Sequence, residues 1–378
     1  MSVPYSRQSI DLKDISSVSK VLKSDFLTTG PKIKEFEEKL RLKFNSKFAV
    51  VVNSATSALH LTCMAFDLSN KDTVWTTAIS FVASANCAVY CGARVDFVDI
   101  DNDTFNICEK KLEEKLIRTP KKKRPKVVIV VHLSGHPANL KRIKYLSNKF
   151  RFKIIEDASH AAGSKYHNHL IGNCKFSDAC IFSFYPTKII TTGEGGCILT
   201  NSKKIFSKTN ILRSHGINKN IKLKNNPWHY DQTSLGYNYR MNDIEASLGI
   251  SQLSKLNKFV RERNKIAIIY KKKLNLRKIK VQSLLPSTKS SMHLFIIRIN
   301  RNLRKKIYFD LKKNGFNSNL HYMPIYRHSF YQKYKFNKKN FINAEQYYKE
   351  AISLPLYYGL KEKKLKKIIK IINNVLSK

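Results

Sequence analysis

The chain has 378 residues, 42% hydrophobic and 26% charged, which is enough apolar mass for two cores and excludes a disordered or low-complexity polypeptide. Its 70 Lys and Arg against 27 Asp and Glu leave a formal charge of +43, but the lysines recur on nearly every polar stretch and form no single stripe, so no specific nucleic-acid partner is expected. No stretch reaches the ~18 to 20 apolar residues of a membrane span, the N-terminus lacks a signal-peptide core, and the seven scattered cysteines contain no Cys-x-x-Cys pair, so the expectation is a cytoplasmic protein with reduced thiols, no metal and no membrane partner.

From Lys47 onward, short Val/Ile/Phe runs alternate with helical segments. Strand-like runs at 48–52 and 73–76 precede helical segments at 54–61 and 80–90, and further runs follow at 94–98, 127–131, 152–155, 179–184 and 195–200. Runs of this kind without strict alternation are covered on both faces, which predicts an open α/β fold: a mostly parallel sheet with helices on both sides. After Gly249 the pattern changes to a helix over 253–275, a strand near 293–298, a helix near 303–314 and a loop-rich segment through Tyr331. The terminal Leu365, Ile368, Ile369, Ile372, Val375 and Leu376 share one helical face opposite lysines, a pattern found both in helices that lie on a membrane and, more often, in terminal helices packed on their own domain, which is the expectation. Two domains are expected, a large one over 1–250 and a small α+β one over 251–378, with residues 1–30 as an arm near the small domain and the active site.

Ligands of such sheets bind beyond the carboxyl ends of the strands, where Ser54, Phe81, Asp157 and Ser183 fall together. Asn53-Ser-Ala-Thr-Ser57 stands where a strand turns into a helix; it is an ordinary N-cap when taken alone, but its free N–H groups and hydroxyls also suit a phosphate. Phe81 taken alone is core, yet its ring could stack on a flat heterocycle. Asp157 closes a buried strand, His160 follows three residues later, and Lys188 lies 31 positions beyond Asp157 in a loop bounded by Pro186 and by Gly193, Gly195 and Gly196. A lysine amine to capture an aldehyde, and an acid to hold a ring nitrogen protonated, are what pyridoxal phosphate needs at its two ends.

Together these residues resemble the sugar-nucleotide branch of the fold-type-I, pyridoxal-phosphate-dependent aminotransferases, the DegT-like family. The matching stretches are Asn53-Ser-Ala-Thr-Ser-Ala-Leu-His60, Phe81-Val-Ala-Ser-Ala-Asn86, Phe97-Val-Asp-Ile-Asp101, Glu156-Asp-Ala-Ser-His-Ala161, Ser183-Phe-Tyr-Pro-Thr-Lys188 with its Thr-Thr-Gly-Glu-Gly-Gly tail, Gly236-Tyr-Asn-Tyr-Arg-Met241 and Ser353-Leu-Pro-Leu356, in order over nearly the whole chain. Tyr5-Ser-Arg-Gln-Ser-Ile10, the 23–31 stretch, Cys91-Gly-Ala-Arg-Val-Asp96 and His321-Tyr-Met-Pro-Ile325 are similar to members that aminate C4 of a UDP-4-keto-6-deoxy-2-acetamido sugar toward pseudaminic acid, using L-glutamate. Other relatives aminate different 4-keto or 3-keto sugars. Dehydratase relatives carry histidine where Lys188 stands.

The resemblance implies that Lys188 bonds the cofactor aldehyde and Asp157 pairs with the pyridinium nitrogen, while His160, three residues past Asp157, is placed to reach a phenolic oxygen or the amine region. It further implies that Phe81 stacks on the ring, and that Ser183, Ala55 and Thr56 hold the phosphate with Asn238 of a second subunit, so that a homodimer shares its active sites. Tyr5, Asp25, Phe26, Leu27, Thr28, Ala55, Ser183, His321, Tyr322, Met323 and Pro324 would border the nucleotide sugar. Tyr185 departs from the family, where many members have histidine.

Overall fold

The computed structural model describes residues 2–218, 226 and 228–377. Seven strands build the main sheet: β1 (Phe48–Val52), β2 (Thr73–Thr77), β3 (Arg94–Val98), β4 (Val127–Val131), β5 (Lys153–Asp157), β6 (Ala179–Ser183) and β7 (Gly196–Thr200). Their order is β1-β7-β6-β5-β4-β2-β3. Only β7 is reversed, pairing antiparallel with β1 and β6, while the other neighbours pair in parallel.

Period-two alternation sends each strand's side chains to two cores at once. Val128, Val130, Ile154, Phe182 and Leu199 enter the layer with Phe36, Leu40 and Phe44 of the helix Pro31–Phe44. Ile129, Ile155, Ile181 and Ile198 enter the opposite layer, with Leu59 of the helix Ala55–Ala65 and Ala85 of the helix Ala83–Tyr90. A third cluster surrounds a small antiparallel sheet of β8 (Lys280–Val281), β9 (Phe295–Arg298) and β10 (Ala351–Leu354), covered by the helices Arg301–Lys313 and Glu362–Leu376. The apolar face of the terminal helix, Leu365 to Leu376, is buried in that cluster.

Three features differ from the sequence expectation. The helix expected over 253–275 is two helices, Asp243–Ser254 and Leu256–Lys273, meeting at Lys255, whose ammonium binds Asp11 at 2.8 Å and Asp14 at 2.6 Å. The first of them starts at a capping box, Asn242 with Glu245, well upstream of the apolar pattern's apparent start. Leu253, Leu256 and Phe259 then pack against the main sheet's core. Phe81 precedes its helix, which begins at Ala83; Phe81 lies in the turn ahead of it, where the Ser80 and Ser84 hydroxyls meet at 2.8 Å.

The N-terminal segment ties the layers together. Val3 pairs with Phe316 beside the small sheet, the Tyr5 carbonyl accepts from the Leu356 amide at 2.9 Å, and the Ser6 hydroxyl donates to the Thr187 carbonyl at 3.0 Å. Arg263 is buried and its guanidinium donates to the carbonyls of His293 (3.1 Å) and Leu356 (3.0 Å), fastening the helix Leu256–Lys273 to the chain just before β9 and just after β10.

At the site end of the sheet, β7 passes so close to the start of the helix Ala55–Ala65 that only a glycine fits. A Cβ on Gly196 would stand 2.5 Å from the Ala55 nitrogen and the Ser54 carbonyl oxygen. Gly196→Ala is expected to cost about 1–3 kcal/mol in urea unfolding through overpacking, and to weaken phosphate and cofactor binding by displacing the first turn of that helix. Unchanged stability and affinity would show that the approach is not tight.

Candidate active site

The carboxyl ends of β1, β4, β5 and β6 open into one cavity of about 840 Å³, a size that suits a small-molecule ligand. Its floor is made by the strand ends and the turns after them, and its lid by Tyr5 and the 319–328 segment. Each of these positions follows from local chain geometry. Ser54 caps the helix Ala55–Ala65 by accepting from the Ser57 amide at 3.0 Å, so the first-turn N–H groups of Ala55 and Thr56, which have no intrahelical acceptor, face the cavity. The Ser183 hydroxyl ends β6 on the same wall.

Asp157 is the last residue of β5 and is held by three donors. The Ser84 hydroxyl reaches Oδ2 at 2.6 Å, while the Ser159 hydroxyl (2.6 Å) and amide (3.2 Å) reach Oδ1. Ser84 and Ser159 carry no motif that sequence reading would single out, although Ser84 lies within the 81–86 stretch. Their role appears only when β5 and the helix Ala83–Tyr90 are brought side by side.

Lys188 sits in the loop between β6 and β7, which folds back on itself through the Phe184 amide to the Gly195 carbonyl (2.9 Å) and the Lys188 amide to the Tyr185 carbonyl (2.9 Å). The side chain keeps part of its surface toward the cavity, yet burial pushes its amine down to about 8, and the Asp157 carboxylate offsets only part of that shift. His160 is buried on the same wall. The Ser134 amide donates to its Nδ1 at 3.3 Å, which leaves the proton on Nε2, and that proton is given to the Tyr322 hydroxyl at 3.1 Å. His293 packs on the His160 ring at 4.3 Å between centroids, and His321 binds the Ser353 hydroxyl at 2.8 Å. Burial drives His160 and His293 well below the ordinary histidine value and His321 down to about 3; Lys188 adds to the shift in all three. The three imidazoles beside the amine are therefore neutral.

Phe81 is 57% exposed although it lines the cavity, so a ring face is open to a flat ligand. Tyr5, His321, Tyr322 and Met323 border the same space, with the Tyr5 ring 5.1 Å from that of His321. Pro324 is buried behind them and does not line the cavity. Asp25, Phe26, Leu27 and Thr28 are exposed in the turn between the helices Leu12–Leu22 and Pro31–Phe44, against the start of the helix Asp243–Ser254, outside this chain's cavity. Asn238 is likewise exposed outside it, bridged to Ser214. Glu194, Asn319 and His328 also line the wall and were not singled out from sequence.

These side chains fit a planar, phosphorylated aldehyde. An amine and a carboxylate whose charges act on each other share the cavity, an aromatic ring stands open, and a helix start with two nearby hydroxyls offers an anion cradle that a Cβ at position 196 would fill.

Comparison with known proteins agrees. The DegT/DnrJ/EryC1/StrS aminotransferase family pattern matches residues 8–373. The chain belongs to that family. It is 38% identical to the UDP-4-amino-4,6-dideoxy-N-acetyl-beta-L-altrosamine transaminase of Campylobacter jejuni subsp. jejuni serotype O:23/36, covering 100% of this chain and 98% of that one. Among solved structures, Helicobacter pylori PseC, an aminotransferase involved in the biosynthesis of pseudoaminic acid, superposes with a TM-score of 0.91 at 32% identity, covering 100% of both chains. The PLP form of the putative sugar aminotransferase Spr1654 from Streptococcus pneumoniae does so with a TM-score of 0.92 at 29% identity, covering 100% of this chain and 99% of that one. The fold class read from sequence is thus that of this aminotransferase family.

Two pH responses follow from the site. With its amine at about 8, roughly one Lys188 in ten is neutral and nucleophilic at pH 7, so capture of pyridoxal phosphate by the cofactor-free protein is expected to accelerate about tenfold from pH 6 to 7 and level off above about pH 8. Stopped-flow absorbance against pH checks this, and a flat profile contradicts it. The neutral histidines His136, His160, His293 and His321 bind protons only when unfolded. Because their folded values lie below the unfolded one, their contribution to stability is complete above the unfolded value and lost as pH falls below it. Urea unfolding between about pH 7 and pH 5 should show that loss.

Proposed function

We propose that the protein moves an amino group from L-glutamate to C4 of a UDP-4-keto-6-deoxy-2-acetamido sugar, UDP-2-acetamido-2,6-dideoxy-β-L-arabino-hex-4-ulose, on the way to pseudaminic acid, with pyridoxal 5′-phosphate as cofactor. The observation that carries this reading is the pairing of a lysine amine lowered to about 8 with the Asp157 carboxylate in one cavity, within a chain related over its full length to a transaminase named for that 4-amino sugar.

When bound, pyridoxal phosphate supplies an electron-withdrawing ring conjugated to the carbon from which a proton leaves. Lys188 Nζ would hold its aldehyde end, Asp157 its ring nitrogen, Phe81 one ring face, and Ser183 with the Ala55 and Thr56 amides its phosphate. Once freed by the incoming amino donor, Nζ is neutral enough to take the proton from the glutamate α-carbon. Release of 2-oxoglutarate would end this first half, and in the second the same atom would return a proton to C4 of the keto sugar, giving the 4-amino sugar. Because Asp157 is oriented by three donors, it need not reorganise as charge moves. His160 with Tyr322 presents a neutral donor pair beside the amine, and Tyr5, His321 and Met323 border the same cavity.

A homodimer is part of the same reading. Phe26, Leu27, Trp228 and Leu235 are 53%, 48%, 77% and 76% exposed, which marks apolar surface for a second copy to cover. We place Asn238 and residues 25–28 of one copy at the phosphate and sugar of the other, in the cytoplasm, with 1–250 and 251–378 as the two working domains. Pro324 would then act by shaping the 321–324 segment.

Lys188→Ala is expected to lower formation of the 4-amino sugar at least about a thousandfold and to abolish the lysine-linked cofactor absorbance. Incubating the wild-type protein and glutamate with the β-L-arabino and D-xylo 4-keto sugars in turn, with the product read by mass and NMR, fixes the stereochemistry. Normal turnover by Lys188→Ala defeats the mechanism, and amination of the D-xylo sugar alone defeats the substrate assignment.

A further inference from the structure

Against the expectation of no membrane partner, which rested on the lack of a spanning segment, we propose that the outer face of the helices Arg301–Lys313 and Glu362–Leu376 docks the enzyme on an anionic lipid surface, with Tyr308 and Phe309 entering the headgroup layer. The first helix buries Ile307 and Leu311 in the small-domain core. Its solvent side carries Arg301, Lys305, Lys306, Lys312 and Lys313, all exposed, and among them Tyr308 and Phe309, 38% and 53% exposed with ring centroids 5.5 Å apart. The second helix packs alongside and turns its whole apolar face inward, leaving Lys363, Lys364, Lys366, Lys367 and Lys370 outward. The apolar pattern of that helix is therefore spent on the core, and the only apolar side chains left exposed on the joint face are the two aromatics.

The positive charge of this face is not neutralised from within. Of those basic residues, Lys366 alone forms an ion pair among the described residues, with Glu362 at 2.9 Å, and Glu362 and Asp310 are the only acids on the two helices. Such a face cannot pack on a copy of itself, because like charges would meet across the two-fold axis. Its rings meet edge to face at 86°, which offers no parallel platform for stacked bases. Lysines flanking exposed aromatics on a helix lying in a plane are what an anionic bilayer surface attracts, since cations meet the headgroup charge and rings settle at the interface.

The test must separate this face from the overall charge of +43. Holoenzyme is co-sedimented at about 0.15 M salt with vesicles of phosphatidylcholine, with and without phosphatidylserine. Binding is expected only with phosphatidylserine. The triple variant Lys305→Glu, Lys312→Glu, Lys363→Glu should lose about tenfold or more in partitioning, while Lys121→Glu, Lys122→Glu, Lys123→Glu, with the same charge change on a distant exposed turn, should lose no more than about twofold. Phe309→Ser should weaken binding without moving the melting temperature, and the added emission of Phe309→Trp should shift to the blue on phosphatidylserine vesicles alone. Equal losses in the two triple variants, no blue shift, or binding to an oligonucleotide that the α-helical triple abolishes while vesicle binding persists would each overturn the proposal. None of these readouts depends on the catalytic assignment.

Discussion

The structure is organised around holding one amine in surroundings that favour its neutral form. Burial lowers Lys188, and three neighbouring bases, His160, His293 and His321, are held neutral by the same burial. Asp157 is the counterweight: its attraction limits the fall of the lysine while three hydroxyl and amide donors keep it from swinging toward the amine. A lysine on an open surface would be charged and inert at neutral pH. One stripped of all nearby negative charge would be too weak a base to move a proton from carbon.

That balance requires elements far apart in sequence to meet at one sheet edge. The reversed β7 matters here, because it brings the lysine loop back between β6 and β1 and presses Gly196 against the helix start at Ala55. The same backbone approach that excludes a side chain places the first-turn amides beside Ser183. The placement of the helix start beside Ser183 and the placement of the lysine loop are thus two consequences of one strand.

Much of this was legible in the sequence, for identifiable reasons. The strands were found because doubly covered strands read as uninterrupted Val and Ile runs, and because each functional side chain lies at or just past a strand end, where chain order alone predicts convergence. Ser54, Phe81, Asp157, Ser183 and Lys188 do line one cavity. What the sequence could not give is contact between side chains with no pattern of their own: Ser84 on Asp157, His293 on His160, Tyr322 bonded to His160. The break at Lys255 was hidden because both flanking segments have helical periodicity, and only the acidic pair Asp11 and Asp14 marks the joint. Residues 25–28 and Asn238 lie outside the single-chain cavity, so a reading of one chain gives them no local reason to be there.

The N-terminal strap has a practical corollary. Within four residues it hydrogen-bonds the small sheet's neighbour at Gly315, the 355–357 turn and the lysine loop at Thr187, so it ties the small sheet to the loop that carries Lys188. A purification tag or fusion partner attached there would tug directly on the loop that carries Lys188, and trimming by an aminopeptidase past Tyr5 would cut the tether. Handles for labelling or immobilisation therefore belong elsewhere, and ragged amino termini in a preparation translate into a mixed population of active sites.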